Sequence, residues 1–371
     1  MYYMKICHMT SAHPECDIRI FHKECVSLAK NGYDVYLVQR GKSGEKNGVH
    51  LVGVGDISGN RIKRMTQAAK RVYEIALELD CDVYHLHDPE LLPYGLKLKR
   101  KGKKVIFDSH ECYALQIANK TYLGIFAPII SKIYGCIENY VVKRIDGVIF
   151  PCLMDGVNPF EGRCRRVALV GNQPLLEEVY SDKERDFSGR QAACYVGGLW
   201  YDRGITQDVL ACNKVGVRLL LAGKESSQEY KNQLISLDQK KLVEFRGRID
   251  RDGVVALLNE ATIGLVTELN VGQNNKIDIL PTKTYEYMGS GLPVISSKSE
   301  YADRMITQYG FGISVDPENV DEIANAIQFL LDHPEEAKRM GENGKKAVKE
   351  EFNWGVEEKK LLRFYKEIDG A

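Results

Sequence analysis

The feature that most constrains this chain is an alternation of strand and helix patterns that runs once and then restarts. In the first run, MKICHM (4–9), DVYLVQ (34–39), VHLVGV (49–54), DVYHLH (82–87), KVIFDS (104–109), DGVIFP (146–151) and RVALV (166–170) read as strands. Helices are expected over 18–31 and 62–79, and near 89–101 and 121–144. The second run reads AACYVGG (192–198), VRLLLAG (217–223), LVEFRG (242–247), TIGLVTE (262–268), LPVISS (292–297) and FGISV (311–315). Helices fall near 204–213, 227–237, 251–260, 281–289, 300–309 and 320–332. Short apolar strands separated by helices imply a parallel sheet covered on both faces. The expected class is therefore α/β, with two doubly wound parallel-sheet domains. A boundary near GNQPL (171–175) divides them into 1–171 and 172–353. The remainder is helical and charged, with a break at 352–355.

Composition supports that division. A chain of 371 residues is long for one core. Its net charge is zero, yet residues 1–170 carry 25 Lys and Arg against 18 Asp and Glu, and the rest carry 26 against 33. The two parts are thus suited to different partners. All ten cysteines fall by residue 212, without CxxC pairs, which reads as scattered thiols of a reducing compartment. The start, MYYMKICHMT, carries no signal-peptide pattern. The most apolar stretch, 121–142, holds Lys132 and Glu138, which argues against a membrane span.

The most informative stretch is DILPTKTYEYMGSGLPVISS (278–297). Pro281 suits the first position of a short helix, with Gly289, Gly291 and Pro293 ending it. Lys283 then lies in the first turn, where the helix dipole disfavours cations. A bound anion at the helix mouth would account for that placement. Glu286 leans back toward the same mouth, within reach of a hydroxyl beside the anion. Phosphate next to a sugar hydroxyl describes a nucleotide. The plainer alternative is a surface helix with a Lys283–Glu286 pair.

Other segments reach the same strand ends. In YVGGLWYDRG (195–204) a strand ends in Gly197 and Gly198, and Arg203 precedes the next helix; glycines admit a phosphate and Arg can grip it. FDSHE (107–111) puts His110 at a sheet edge, where it can meet a sugar hydroxyl or developing charge. SAHPECDIRI (11–20) brings His13, Asp17 and Arg19 to the first strand-to-helix loop, Asp17 also being a natural helix cap. His85 and His87 alternate along a strand end beside Asp88, a spacing that could suggest metal; with no further ligand cluster evident, structural roles or crevice-lining are expected and no metal is assigned. KLKRKGKK (97–104) holds six basic side chains, and with the Ile-rich 121–134 segment it fits an anionic lipid surface better than nucleic acid. GVGDISG (53–59) mimics a dinucleotide loop, but Asp56 would oppose a pyrophosphate.

On YVGGLWYDRG, FRGRIDRDGVVALLNEATIGL and PTKTYEYMGSGLPVI, with DSHE and DIRIFHKECVSLAKNGYDV, the chain resembles the family 4 glycosyltransferases, of GT-B fold. The resemblance spans nearly the whole chain. It implies two Rossmann-like domains facing a cleft, the first on the acceptor side and the second binding the nucleotide-sugar donor. The C-terminal helix (354–371) would pack back on the first domain. It implies transfer with retention at the anomeric carbon and no obligatory metal or other cofactor. Arg203 matches the residue that holds the diphosphate, Glu286 the glutamate on the ribose, and His110 the histidine near the donor sugar. Asp278 stands where the family has the first glutamate of its Glu-x7-Glu motif, and Gly198 where many members have a second phosphate-binding arginine. Lys283 would make up the missing charge.

The expected function is a retaining glycosyltransferase moving a hexose from a nucleotide-sugar, UDP favoured, to a surface-polysaccharide or lipid-linked glycan. Its expected location is cytoplasmic, peripheral on the inner membrane face. His110 and Asp278 are the catalytic candidates; Gly198, Arg203, Lys283 and Glu286 the donor-binding ones; His13, Asp17 and Arg19 the acceptor-side ones. The residues alone leave open an NAD(P)-dependent oxidoreductase, a GT-B nucleotide-sugar epimerase, or an inactive nucleotide-sugar-binding module.

Overall fold

The computed structural model describes residues 4–55, 61–182, 184–187, 191–271 and 277–370, with the side chains of 61–64 and 121–122 left out. Most of the GVGDISG segment therefore lies outside the described residues. The chain forms two compact units, Met1–Asn172 with Trp354–Ala371, and Gln173–Asn353.

The first unit is built on one eight-stranded sheet. In space its strands run Gly44–Lys46, Val49–Gly53, Asp34–Gln39, Lys5–Met9, Val83–Leu86, Lys104–Asp108, Gly147–Phe150, Val167–Leu169. All neighbours pair in parallel except the first two. That outer strand was not expected, because it is short, polar and exposed. It is made by a hairpin at Asn47 and Gly48, both at positive φ, the turn that Asn-Gly favours. The order reverses between Lys5–Met9 and Val83–Leu86. Ligands of open α/β sheets bind beyond the strand ends at such a reversal.

The expected 121–144 helix is interrupted. A 3₁₀ segment, Thr121–Phe126, has Gly124 at positive φ, and the α-helix proper is Ala127–Val142. The C-terminal helix, Trp354–Asp369, is an integral part of this unit. Trp354 donates its indole N–H to the Ser27 hydroxyl (2.8 Å), and Glu357 accepts from the Gly171 N–H (2.7 Å). Phe364 lies so close to Gly147 that a Cβ there would meet its ring at 2.4 Å. The ten cysteines are all free thiols.

The second unit has six parallel strands, in the order Val243–Gly247, Arg218–Ala222, Ala192–Val196, Ile263–Val266, Val294–Ser297, Gly312–Val315. Apolar clusters cover both faces. Ile205, Val209, Leu219, Leu265 and Ile327 lie on one side, and Leu220, Leu258, Tyr287, Val294 and Val348 on the other. The reversal here falls between Ala192–Val196 and Ile263–Val266. The segments leaving those two strands carry Arg203 and Glu268.

Candidate functional site

In the second unit the loop after Ala192–Val196 closes through a 3₁₀ turn, Tyr201–Arg203, and hands over to the helix Ile205–Val215 at Gly204. Gly204 has φ +74°, and a Cβ on it would stand 1.9 Å from the Thr267 carbonyl oxygen. Only glycine permits that approach, which brings the Arg203 loop against the end of the Ile263–Val266 strand. Arg203 Nη1 is consequently 2.6 Å from Glu268 Oε1.

Lys283 reaches the same oxygen of Glu268 with its ammonium. It also stands over the Tyr195 ring, 4.9 Å from the centroid. Its helix, Thr282–Gly289, has no side-chain cap and no acidic residue in its first turn. Pro281 is the N-cap rather than the first helical residue, since its ψ of 141° is still extended. Arg203 and Lys283, the latter in the first turn of this helix, thus meet on one carboxylate. Two cations share one anion, so the cluster keeps a surplus positive charge. The Arg203 side chain is 38% exposed, that of Lys283 13% and that of Glu268 8%. Arg203 is therefore the accessible cation, with the other two groups beneath.

The titration behaviour fits that layering. Burial pushes the Glu268 carboxyl up, but Lys283 and Arg203 outweigh it and hold it below the ordinary glutamate range. Burial lowers Lys283, and Glu268 only partly restores it. Arg203 loses to burial and gains more from Glu268, ending above its usual value. Below them Asp208 accepts a hydrogen bond from the Thr267 hydroxyl (2.6 Å). Its full burial lifts it to about 7, Thr267 and Lys283 pulling the other way.

The remaining expected donor residues are placed as follows. Glu286 does not pair with Lys283; its Oε1 accepts from Arg251 Nη1 at 3.0 Å. Arg251 opens the helix Arg251–Glu260, whose cap Asp250 accepts from the Gly253 N–H (2.9 Å). Gly198 is exposed, and its carbonyl accepts from the Tyr195 hydroxyl (3.2 Å) and the Trp200 N–H (3.1 Å). Asp278 turns a carboxylate oxygen toward Arg304, 3.7 Å away. Glu268 and Arg251 are the residues the sequence reading missed.

In the first unit the loop after Lys5–Met9 wraps the carboxylate of Asp88. The Ser11 N–H (2.6 Å), the Thr10 hydroxyl (2.9 Å) and the Ala12 N–H (3.2 Å) all donate to it. His13 Nδ1 is 3.0 Å from its other oxygen. Burial raises Asp88, yet these donors bring it down to about 2. Burial lowers His13 and Asp88 more than offsets it, so His13 ends above its usual value. His13 and His110 stand side by side, ring centroids 4.7 Å apart, both partly open to solvent. His110 Nε2 lies 3.1 Å from His87 Nδ1 and 3.3 Å from Asp108.

One acceptor-side expectation needs correction. Arg19 is not at the surface: its guanidinium turns inward and clamps both oxygens of Asp108, at 2.9 and 3.0 Å, with Glu24 at 3.1 Å. A buried guanidinium needs carboxylates, and the helix directs it toward two of them. Asp17 is the helix cap, accepting from the N–H groups of Arg19 and Ile20. Asp17 and His13 are both half-buried, and His13 is the one that stands beside His110.

Residues 177–347 match the family described as glycosyl transferases group 1, and residues 20–154 match glycosyltransferase family 4. Between them the two matches span most of both units. The chain belongs to the family 4 glycosyltransferases, and its fold is GT-B. It is 24% identical over 293 residues to an uncharacterised glycosyltransferase of Methanocaldococcus jannaschii, 73% of this chain and 69% of that protein. Sucrose-phosphate synthase from Thermosynechococcus elongatus superposes with a TM-score of 0.76 at 16% identity, covering 99% of this chain and 100% of that one. HepE of Anabaena, solved in complex with UDP-glucose, gives 0.70 at 13% identity, covering 98% and 100%.

Proposed function

We propose that the protein transfers a hexose from a nucleotide-sugar to a glycan acceptor, with retention of anomeric configuration and without a metal at the donor. The observation that carries this reading is the meeting of Arg203 and Lys283 on Glu268 beside an uncapped helix end, at the reversal of the second sheet. As the bond from the anomeric carbon to the diphosphate breaks, the electron pair leaves with the diphosphate. The charge that develops there needs fixed donors. A helix end contributes about 0.3–1 kcal/mol when exposed and ~2 when partly buried. Charge-assisted bonds from Arg203 and Lys283 carry the larger share. Glu268 holds both cations in place before the ligand arrives, so little reorganisation is required. Glu286 offers a carboxylate to a ribose hydroxyl. In the first unit His110 and His13 are the side chains open to a sugar hydroxyl.

UDP is the favoured nucleotide, in keeping with the relative solved with UDP-glucose. Calorimetric titration with UDP, GDP, ADP and NADP tests the reading. Binding of UDP in the micromolar range, and turnover indifferent to added magnesium or manganese, are the expected results. Tight NADP binding with no response to any nucleoside diphosphate would favour the oxidoreductase instead. Turnover of the nucleotide-sugar with no acceptor would favour the epimerase.

We further propose a lipid-linked acceptor and a peripheral location on an anionic, cytoplasmic membrane face. Ile125, Phe126, Ile129, Ile130, Ile133, Ile137 and Tyr140 are all exposed. Their spacing lines one face of the Ala127–Val142 helix, and exposed Lys132 and Lys143 stand at its rim. The longer segment Leu123–Val142 is long and apolar enough to cross a membrane, with 22% of its apolar window buried in the fold. The stripe and its basic rim better suit a helix lying in the headgroup layer. The 97–104 basic run contributes less than its charge count implies, because Lys99, Lys103 and Lys104 pair with Asp146, Asp80 and Asp369. Co-sedimentation with phosphatidylglycerol vesicles, lost on Ile129→Glu with Ile133→Glu, is the expected outcome. Equal recovery of both proteins would remove the membrane from the reading.

A further inference from the structure

Beneath His110 the first unit encloses a group of side chains that sugar transfer does not use. His8 and His85 are register partners on adjacent parallel strands. His87 lies two residues beyond His85, so both rings point to the same face of the sheet. Glu24 enters from the helix above. All four side chains are wholly buried. Glu24 Oε2 is 4.0 Å from each of three ring nitrogens, His8 Nδ1, His85 Nε2 and His87 Nε2. These four atoms lie within 4.8 Å of one another. His8 Nδ1 and His87 Nε2 share a hydrogen bond (2.9 Å), but among the described residues His85 Nε2 and both oxygens of Glu24 have no hydrogen-bond partner. An unpaired carboxylate oxygen and an unpaired imidazole nitrogen facing each other in a dry interior are costly.

The outer atoms of the same residues are engaged. The Tyr365 hydroxyl lies 2.7 Å from His85 Nδ1 and 3.2 Å from His8 Nε2. His87 Nδ1 is 3.1 Å from His110, and Glu24 Oε1 faces the Arg19 guanidinium at 3.1 Å as an ion pair without a hydrogen bond. Each group is therefore held from behind with one donor atom turned inward. That is the arrangement of metal ligands and their supporting shell.

We propose that His8, Glu24, His85 and His87 bind one divalent transition-metal ion, zinc by their donor set. Three imidazoles and one carboxylate suit zinc and its neighbours rather than calcium or magnesium. Tetrahedral zinc with bonds of ~2.0–2.1 Å separates its donors by about 3.3–3.4 Å. The carboxylate must close in by about half an ångström and the His8–His87 contact must open by a similar amount. The adjacent His87, Asp108 and His110 trio is the poorer candidate, because Arg19 occupies both Asp108 oxygens. With all four donors enclosed, the ion has no place for substrate, and its duty is structural. It ties the first two central strands to the helix and, through Tyr365, to the C-terminal helix. It also fixes the ring of His87, against which His110 rests.

The test is elemental analysis of tag-free protein produced in zinc-supplemented medium. About one equivalent of zinc is expected, with a lower Tm after removal by a chelator and recovery on adding zinc. Cobalt(II) reconstitution should give the visible absorption of a four-coordinate ion. Glu24→Gln and His85→Gln should lose the metal, while His50→Gln, at a surface histidine, should keep it. Tyr365→Phe should retain it with about 10–100-fold lower affinity. Wild-type protein with under a tenth of an equivalent and no Tm response to zinc overturns the proposal, as does full retention in both ligand variants. None of these readouts depends on sugar transfer.

Discussion

Each unit carries a charged cluster at the reversal of its sheet, and the two are built on opposite plans. In the first, Arg19, Asp108 and Glu24 are sealed from water, with the guanidinium within ion-pair distance of both carboxylates. In the second, Glu268 is nearly buried but Arg203 stands more than a third exposed. The same position in the same topology is thus used once to lock an interior and once to present a cation. A conserved geometry of strands does not by itself say which. Burial of the guanidinium does.

The largest effect separating the plans should come from Arg19→Ala. Removing one partner of a buried ion pair leaves carboxylates without compensation and costs about 3–5 kcal/mol. Urea denaturation should show a correspondingly lower midpoint with an unchanged m-value. UDP affinity of the folded fraction should hold, since the donor cluster lies in the other unit. A variant of normal stability would dissolve the contrast.

Next comes a pH effect confined to the second unit. Asp208 keeps its proton in the folded state up to about pH 7, whereas an unfolded aspartate releases it near ~3.9. Between those values the folded state binds more protons, so stability falls as pH rises and levels off above 7. At about 1.4 kcal/mol per unit the loss is on the order of 4 kcal/mol. Asp208→Asn should remove this slope and keep the Thr267 contact. Its Tm should match wild type near pH 4 and exceed it progressively up to pH 7. Parallel Tm profiles for the two proteins would show that the carboxyl is not held protonated.

Arg203→Ala should lower turnover about a hundredfold or more, the loss seen when one preorganised donor is removed. Stability should change by no more than about 1 kcal/mol, as for a partly exposed ion pair. Arg19 and Arg203 would then differ in which property each variant loses. If Arg203→Ala unfolds the protein as readily as Arg19→Ala, both clusters are structural.

The strands were legible because short apolar runs ended at or next to Gly, Pro or Asp at most of the true boundaries. The Gly44–Lys46 edge strand was legible in principle, through Asn47-Gly48, but its polar sequence hid it. The Arg203–Lys283–Glu268 cluster was only half legible. Lys283 stood out because it defied the helix dipole, and Arg203 because it followed a glycine pair. Glu268, which joins them, is 65 and 15 residues away from its partners. No local rule announces an ion pair made by sheet order. The same holds for the buried histidines: His85 and His87 were visible as a pair, but His8 and Glu24 are brought to them by topology alone. Arg19 was misplaced because a polar loop looks alike whether its side chains turn outward or inward.

The smallest effect concerns Glu286 and Arg251, which contact each other at 3.0 Å. An ion pair this exposed is worth about 0.2–1 kcal/mol, so neither variant should alter stability much. Their effects on nucleotide binding should nevertheless differ. If Glu286 receives a ribose hydroxyl, Glu286→Ala should weaken UDP by about tenfold, near 1.4 kcal/mol, and Glu286→Gln by less, since it keeps an acceptor. The 2′-deoxy and 3′-deoxy nucleotides should lose affinity against wild type but not against Glu286→Ala. Arg251→Ala should shift UDP affinity far less, because Arg251 only orients the carboxylate. Equal losses for Arg251→Ala and Glu286→Ala would instead make Arg251 a direct ligand of the nucleotide, adding a third cation to a cluster now drawn with two.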